Sequence, residues 1–434
     1  MAEQKEGALS GYRVLDLVDI KTTYCTKLIA DLGAEVINIE KPCGSALRSI
    51  PPFAGDTPNL ERSLYYLYRN ANKCGITLDW ETTDGKSIFK KLVEKADVLV
   101  EGNNPGYLDG LGLGYAVLRD INPGLIMASI TEFGQDGPYR NWKGSDIVDF
   151  AMSSSMIGCG FSDGVPVNLP GTPSYDAAGL IAAISIVVSL FNRGNTGQGH
   201  YIDTAVHETA RLGLYPWMLT IYSYGLNPDS PPPPPEGRLG ASIYPVYPCK
   251  DGYIRVIALT SRQWESLLKV LGHPEVLCLP EWSDFIYRIA NASDLYTLML
   301  EFTMQYTMEE LFEAGHREGV PIVPIYDIEG FVHSPHTEVR GFFMEMNHPV
   351  VGRFKYPGPP YKWTETPAEI RSPAPCLGEH NERIYCSGLG YSKADLAIFF
   401  IKFLHYSKCN RISNTLSLIH ISEPTRPLYI SNAV

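Results

Sequence analysis

Apolar positions in the first half of the chain fall into short runs, separated by longer stretches in which they recur every three or four residues. Residues 12–17 and 35–40 read as strands, with a helix at 23–32 between them. Residues 76–100 repeat the unit as a short strand, a helix around 85–94 and a strand at 96–100. Further strands are predicted at 125–130 and 201–206, with a helix opening at Glu208. Strands alternating with helices predict a Rossmann-like parallel α/β layer, where ligands gather at the carboxyl ends of the strands. The longest apolar run, 177–192, carries no charge, and before Asn192 its only polar side chains are Ser185 and Ser189. It is too long for one strand and Gly194 closes it, so it reads as a buried helix roughly 24 Å long, short for a bilayer.

Beyond residue 225 the pattern changes. Five consecutive prolines, 231–235, can neither join a sheet nor continue a helix, which places a linker at 226–240 after a large domain spanning 1–225. Strand signals at 243–246 and 253–257, with helices around 261–271 and 307–318, predict a smaller α+β domain over 241–332. Residues 333–390 return to proline and glycine punctuation. The stretch 391–434 loses any sustained period from about residue 399 and reads as a non-native or disordered tail.

Charge and cysteine content narrow the function classes. A net charge of −12 over 434 residues argues against a nucleic-acid partner, since no basic field exists to neutralise phosphates. The nine cysteines are scattered without a Cys-x-x-Cys, which predicts a reducing compartment and no zinc site. The first seven residues hold no apolar signal core, so a soluble cytoplasmic protein without a membrane association is expected.

The chemistry centres on Pro173-Ser174-Tyr175-Asp176-Ala177-Ala178-Gly179 at the head of the apolar run. A lone aspartate before such a helix is ordinarily its N-cap. Here the small Ala177, Ala178 and Gly179 leave room for a substrate to approach the carboxylate, and Asp176 becomes a candidate nucleophile. Thr131 to Pro138 forms a glycine-rich turn, whose amides suit either an anion or a plain surface loop. Lys41, just past a strand, is placed to meet a nucleotide phosphate, although by itself it reads first as an ordinary solvated lysine. No Gly-x-Gly-x-x-Gly, metal-ligand spacing or Ser/His/Asp signature is present, so no metal or redox cofactor is expected.

Six blocks in order resemble the class III coenzyme A transferases of the CaiB/BaiF type. They are Ala30 to Pro42; Asn70-Ala71-Asn72-Lys73 with Leu78-Asp79; Ala96-Asp97-Val98 with Glu101 and Pro105-Gly106; Phe133 to Tyr139; the Asp176 segment; and Leu377 to His380. The resemblance runs from Leu9 to about Tyr385. It implies transfer of CoA from an acyl-CoA donor to a small carboxylic acid, with Asp176 passing through an acyl anhydride and an aspartyl-CoA thioester. It also implies CoA contacts at Lys41, Leu78, Asn103, Gly134 and Gln135, oxyanion support from the Gly134 to Gly137 turn, and an interlocked homodimer.

The chain departs from the family pattern at Thr22-Thr23-Tyr24 in place of Ala-Gly-Pro, at Gly110, at Glu132, and at Ala258-Leu259-Thr260-Ser261 in place of a glycine-rich lid. The related α-methylacyl-CoA racemases carry a histidine where this chain has Ser145, and serine cannot serve as the second base of a proton transfer. A racemase-like isomerase and a non-catalytic CoA-binding subunit paired with an active homologue stay open as alternatives.

Overall fold

The computed structural model describes residues 6–156, 159–160, 165–214, 245–396 and 398. Six strands, β1 (Arg13–Leu17), β2 (Glu35–Glu40), β3 (Lys73–Thr77), β4 (Val98–Glu101), β5 (Ile126–Thr131) and β6 (Tyr201–Ala205), form one sheet in the order β3-β2-β1-β4-β5-β6. Every pairing in it is parallel. Eight helices of this unit are α1 (Thr23–Asp31), α2 (Leu64–Arg69), α3 (Thr83–Val93), α4 (Tyr107–Gly110), α5 (Tyr115–Ile121), α6 (Asp146–Met152), α7 (Pro173–Thr196) and α8 (Val206–Leu214).

Successive strand residues point to opposite faces, and both faces are apolar because helices cover both. Leu15, Ile37, Leu99 and Met127 pack with Phe89 and Leu92 of α3 and Leu118 of α5. Their neighbours Val14, Val36, Val98 and Ile126 pack with Ile29 of α1 and with Ala178, Ala182 and Ile186 of α7. The strand order reverses direction between β1 and β4, which opens a crevice beyond their carboxyl ends.

The sequence reading of the long apolar helix needs two corrections. It starts earlier and ends later, running 24 residues with Pro173 in its first turn, because proline's fixed φ is compatible with helix there. It is also not buried all round. Ala178, Ala182 and Ile186 are buried, while Leu180, Ile184, Val187, Val188 and Phe191 are exposed along the opposite stripe, Phe191 at 78%. By length and composition α7 is long and apolar enough to cross a membrane, although its alanine side packs on α1. Gly179 makes that approach possible, since a Cβ there would lie 3.0 Å from the Cys25 backbone nitrogen.

The chain divides into two compact units, the second comprising residues 157–167 and 218–342. Within it, β7 (Val246–Cys249), β8 (Gly252–Val256) and β9 (Ile322–Pro324) form an antiparallel sheet, packed with Trp264, Leu267 and Leu311. Its helices Ser261–Val270 and Met308–Glu318 both open with capping boxes, from Thr260 with Gln263 and from Thr307 with Glu310. Thr260 is thus a helix cap, and the carbonyls of Ala258 and Leu259 accept bonds from Arg288.

Residues 343 onward belong to the first unit. There the hairpin β10 (Phe343–His348) and β11 (Gly352–Pro357) precedes a segment tied to β3 by Asn381, whose Oδ1 accepts from the Thr77 amide at 2.9 Å. The proline run 231–235, the whole linker 226–240 with its surroundings, and the tail beyond residue 398 lie outside the described residues. Among the described residues Cys25, Cys74, Cys249, Cys278, Cys376 and Cys386 carry free thiols.

Candidate active site

Asp176 occupies the first turn of α7, but it does not cap the helix. Thr172 is the N-cap residue and makes no side-chain cap bond. The carboxylate of Asp146, from α6, takes that part: its Oδ1 accepts from the backbone amides of Ser174 at 2.8 Å and Tyr175 at 3.2 Å. The amide of Asp176 is already bonded to the Thr172 carbonyl at 3.0 Å. With the terminal donors satisfied by another residue, the Asp176 side chain is released from the structural duty that its position would otherwise impose.

Released from capping, Asp176 faces Arg69 at the end of α2. Their ion pair measures 2.6 Å from Nη2 to Oδ1, with Arg69 almost wholly buried and the Asp176 side chain 36% exposed. Thr172 Oγ1 also donates to Asp176 Oδ1, at 3.5 Å. The guanidinium lies between the rings of Tyr24 and Tyr65, each 4.8 Å from it, and the Tyr65 hydroxyl sits 3.1 Å from Thr172 Oγ1. Burial pushes the Asp176 carboxyl above the usual carboxylate range, and the charge and hydrogen bond of Arg69 pull against it. The result is a partly exposed carboxylate held by a buried cation, an arrangement that suits a nucleophile.

A second acidic group reaches the same helix turn through Tyr175. Glu132 accepts from the Tyr175 hydroxyl at 3.1 Å and meets Lys21 at 3.8 Å, while Asp149 of α6 is fully buried beside it. Two carboxyl groups facing each other bond only if one keeps a proton. Asp149 is the one that does, since burial first, then Glu132, raise its pKa well above the carboxylate range. The unfolded chain releases that proton near the ordinary value, so stability falls as pH rises between the two pKa values. Asp149→Asn is therefore expected to melt higher than wild type at about pH 8, with the difference closing toward about pH 4. Thermal melts across pH check this, and a pH-independent difference would refute the shared proton.

The residues expected to contact CoA all lie at or just beyond carboxyl ends of the sheet's strands: Lys41 after β2, Leu78 after β3, Asn103 after β4, and Gly134 and Gln135 after β5. Their environments differ. Lys41 is paired with Asp79 at 2.6 Å and Glu81 at 3.1 Å and stacks on Trp80, so its charge is already neutralised. Leu78 is fully buried in the core. Asn103 donates to Glu101 through its amide and its side chain. Gly134 adopts φ +85°, a left-handed turn suited to glycine. The Gln135 amide donates to Asp203 at 2.9 Å, and no amide of this turn is among the hydrogen-bond partners of Asp176; Arg69 and Thr172 hold it instead.

A cavity of about 290 Å³ lies beyond β4 and β5, lined among others by Asn104, Tyr115, Gln135, Arg140 and Tyr201. It brings Gln135 and the neighbour of Asn103 to one hollow, without Lys41, Leu78 or Asp176.

Residues 9–381 match CoA-transferase family III. The chain belongs to this family. Among similar proteins of the family, a succinyl-CoA:(R)-benzylsuccinate CoA-transferase subunit of Thauera aromatica is 32% identical, covering 86% of this chain and 93% of that one. A formyl-CoA:oxalate CoA-transferase of Streptomyces avermitilis is 31% identical, covering 90% and 98%. The crystal structure of a CaiB/BaiF family protein from Brucella suis superposes with a TM-score of 0.78 at 28% identity, covering 88% of this chain and all of that one. The six-stranded parallel α/β unit described above is thus the fold of a family III CoA-transferase, and the chain is an enzyme of that class.

Sequence reasoning missed Arg69 and Asp146 beside Asp176, and Arg140 in the hollow. Arg69 sits on a six-residue, tyrosine-rich helix with no apolar period to announce it. Asp146 lies thirty residues before Asp176, and Arg140 follows the glycine turn without a pattern that marks it. Thr22-Thr23-Tyr24, noted as a departure, has structural work: Thr22 bonds Asp16 at 2.8 Å and Tyr24 walls Arg69.

Proposed function

We propose that this chain moves CoA from an acyl-CoA donor to a carboxylic acid, with Asp176 as nucleophile. The observation that carries the reading is the first-turn carboxylate that Asp146 frees from capping and Arg69 holds ionised. The Asp176 carboxylate attacks the thioester carbonyl, forming an acyl-aspartyl anhydride and releasing CoA thiolate. The thiolate then attacks the aspartyl carbonyl, giving aspartyl-CoA and freeing the donor's acid. An acceptor carboxylate reverses these two steps and leaves as the new acyl-CoA. Arg69 and the helix N-terminus offset the developing negative charge.

The nucleotide end of CoA is assigned to the hollow beyond β4 and β5, with Arg140 in place of Lys41 as the phosphate partner. Arg140→Ala is expected to raise KM for the acyl-CoA about tenfold or more with a smaller change in kcat, the loss of one charge-assisted contact. Steady-state kinetics check this, and an unchanged KM removes Arg140 from the CoA site. The exposed apolar stripe on α7 supports assembly of the chain into a dimer, with itself or with a homologue. Two of the similar proteins are named as subunits, which favours the second arrangement.

The test offers purified protein succinyl-CoA or acetyl-CoA with a panel of mono- and dicarboxylic acids and follows new acyl-CoA masses. New thioesters support the reading. Retained donor binding with no product from any acid contradicts a transferase that acts alone.

A further inference from the structure

We propose that Arg69 is the receptor for the free carboxylic acid, and that Asp176 keeps this receptor closed until Asp176 is itself acylated. The inference rests on the transferase reading. Arg69 is 6% exposed, yet its Nη1 has no hydrogen-bond partner and is buried. Asp176 engages only Nη2, through Oδ1. A guanidinium fork is built to take a carboxylate through two nitrogens, and a buried one left half used is costly unless an anion completes it. The rings of Tyr24 and Tyr65, each 4.8 Å from it, hold the guanidinium in place beside the nucleophile.

The chemistry supplies the anion at the right moment. When Asp176 attacks the thioester, its charge passes to the departing CoA thiolate and Arg69 loses its partner. When the thiolate attacks the aspartyl carbonyl, the anhydride C–O bond breaks and the donor acid leaves as a carboxylate, which Arg69 takes up. The acceptor carboxylate replaces it, attacks aspartyl-CoA and expels thiolate. Attack of that thiolate on the acceptor's acyl carbon returns the electron pair to Asp176, which pairs with Arg69 again. Arg69 thus has one carboxylate partner in each resting form, and free acids bind the covalent intermediate in preference to the free enzyme. Tyr24, one wall of this receptor, belongs to a stretch where the chain departs from the family pattern.

The test titrates acetate and succinate calorimetrically into wild type, Asp176→Asn and Asp176→Asn/Arg69→Met, the neutral asparagine standing in for the acylated side chain. Asp176→Asn is expected to bind at least one of the two acids about tenfold or more tightly than wild type does, and the double variant to lose that gain. Equal affinities for wild type and Asp176→Asn, or a gain that survives removal of Arg69, overturn the proposal. Should the double variant fail to fold, Arg69→Lys in the otherwise native chain decides: KM for the acid rises about tenfold while KM for acyl-CoA holds, and equal rises in both overturn it. Wild-type turnover without any gain in Asp176→Asn removes this inference alone, whereas absence of turnover with every acid removes the transferase reading beneath it.

Discussion

Asp176→Asn is expected to lower kcat for CoA transfer by at least about 10³-fold, because an amide cannot form the anhydride. The variant should fold like wild type. Asp146, not Asp176, satisfies the first amides of α7. Circular dichroism and thermal melts verify the fold before the rate is interpreted. In the wild-type enzyme kcat/KM should fall on acidification through a pKa above the usual carboxylate value, since burial raises Asp176 more than Arg69 lowers it. A near-normal rate in Asp176→Asn would remove this residue from the chemistry, whatever its position.

The largest stability effect is expected at Arg48. This fully buried guanidinium makes two bonds of 2.8 Å to the equally buried Glu40, one of 2.6 Å to Glu61, and others to the Tyr66 hydroxyl and the Pro375 carbonyl. It joins the end of β2 to the returning segment, beneath the loop that carries Lys41. Arg48→Met leaves Glu40 charged and unpaired in the core, a loss of about 3–5 kcal/mol, or roughly 5 °C in melting temperature for a chain of this size. Adding Glu40→Gln should recover part of that loss, because the cost lies in the orphaned charge more than in the lost pair. If the double variant melts no higher than Arg48→Met, the cavity rather than the charge carries the penalty.

The parts legible from sequence were those fixed by local chemistry. Strands buried on both faces wrote themselves as short apolar runs, and β2 fell at the predicted residues 35–40. Two helices of the second unit, predicted at 261–271 and 307–318, fell at Ser261–Val270 and Met308–Glu318, each opened by a capping box that lies within four residues; the helices between and after them were not predicted. The aspartate at the head of the apolar run also stood out by its surroundings.

What escaped was contact made across the fold. Arg69 reaches Asp176 only because α2 and α7 converge, and nothing in Tyr65-Tyr66-Leu67-Tyr68-Arg69 encodes that meeting. Lys41 looked available for a phosphate because Asp79 and Glu81 come from a different strand end. The apolar run could not reveal that half of α7 faces outward, since an exposed apolar residue has the same hydropathy as one that packs inside.

The most direct measurement of the central claim is to trap the covalent intermediate. Protein incubated with acyl-CoA and quenched in acid would be digested and its peptides weighed for a CoA thioester. The account predicts CoA attached at Asp176, discharged on adding the acceptor acid, and absent from Asp176→Asn. Transfer that proceeds with no adduct at Asp176, or with CoA on another residue, would contradict it.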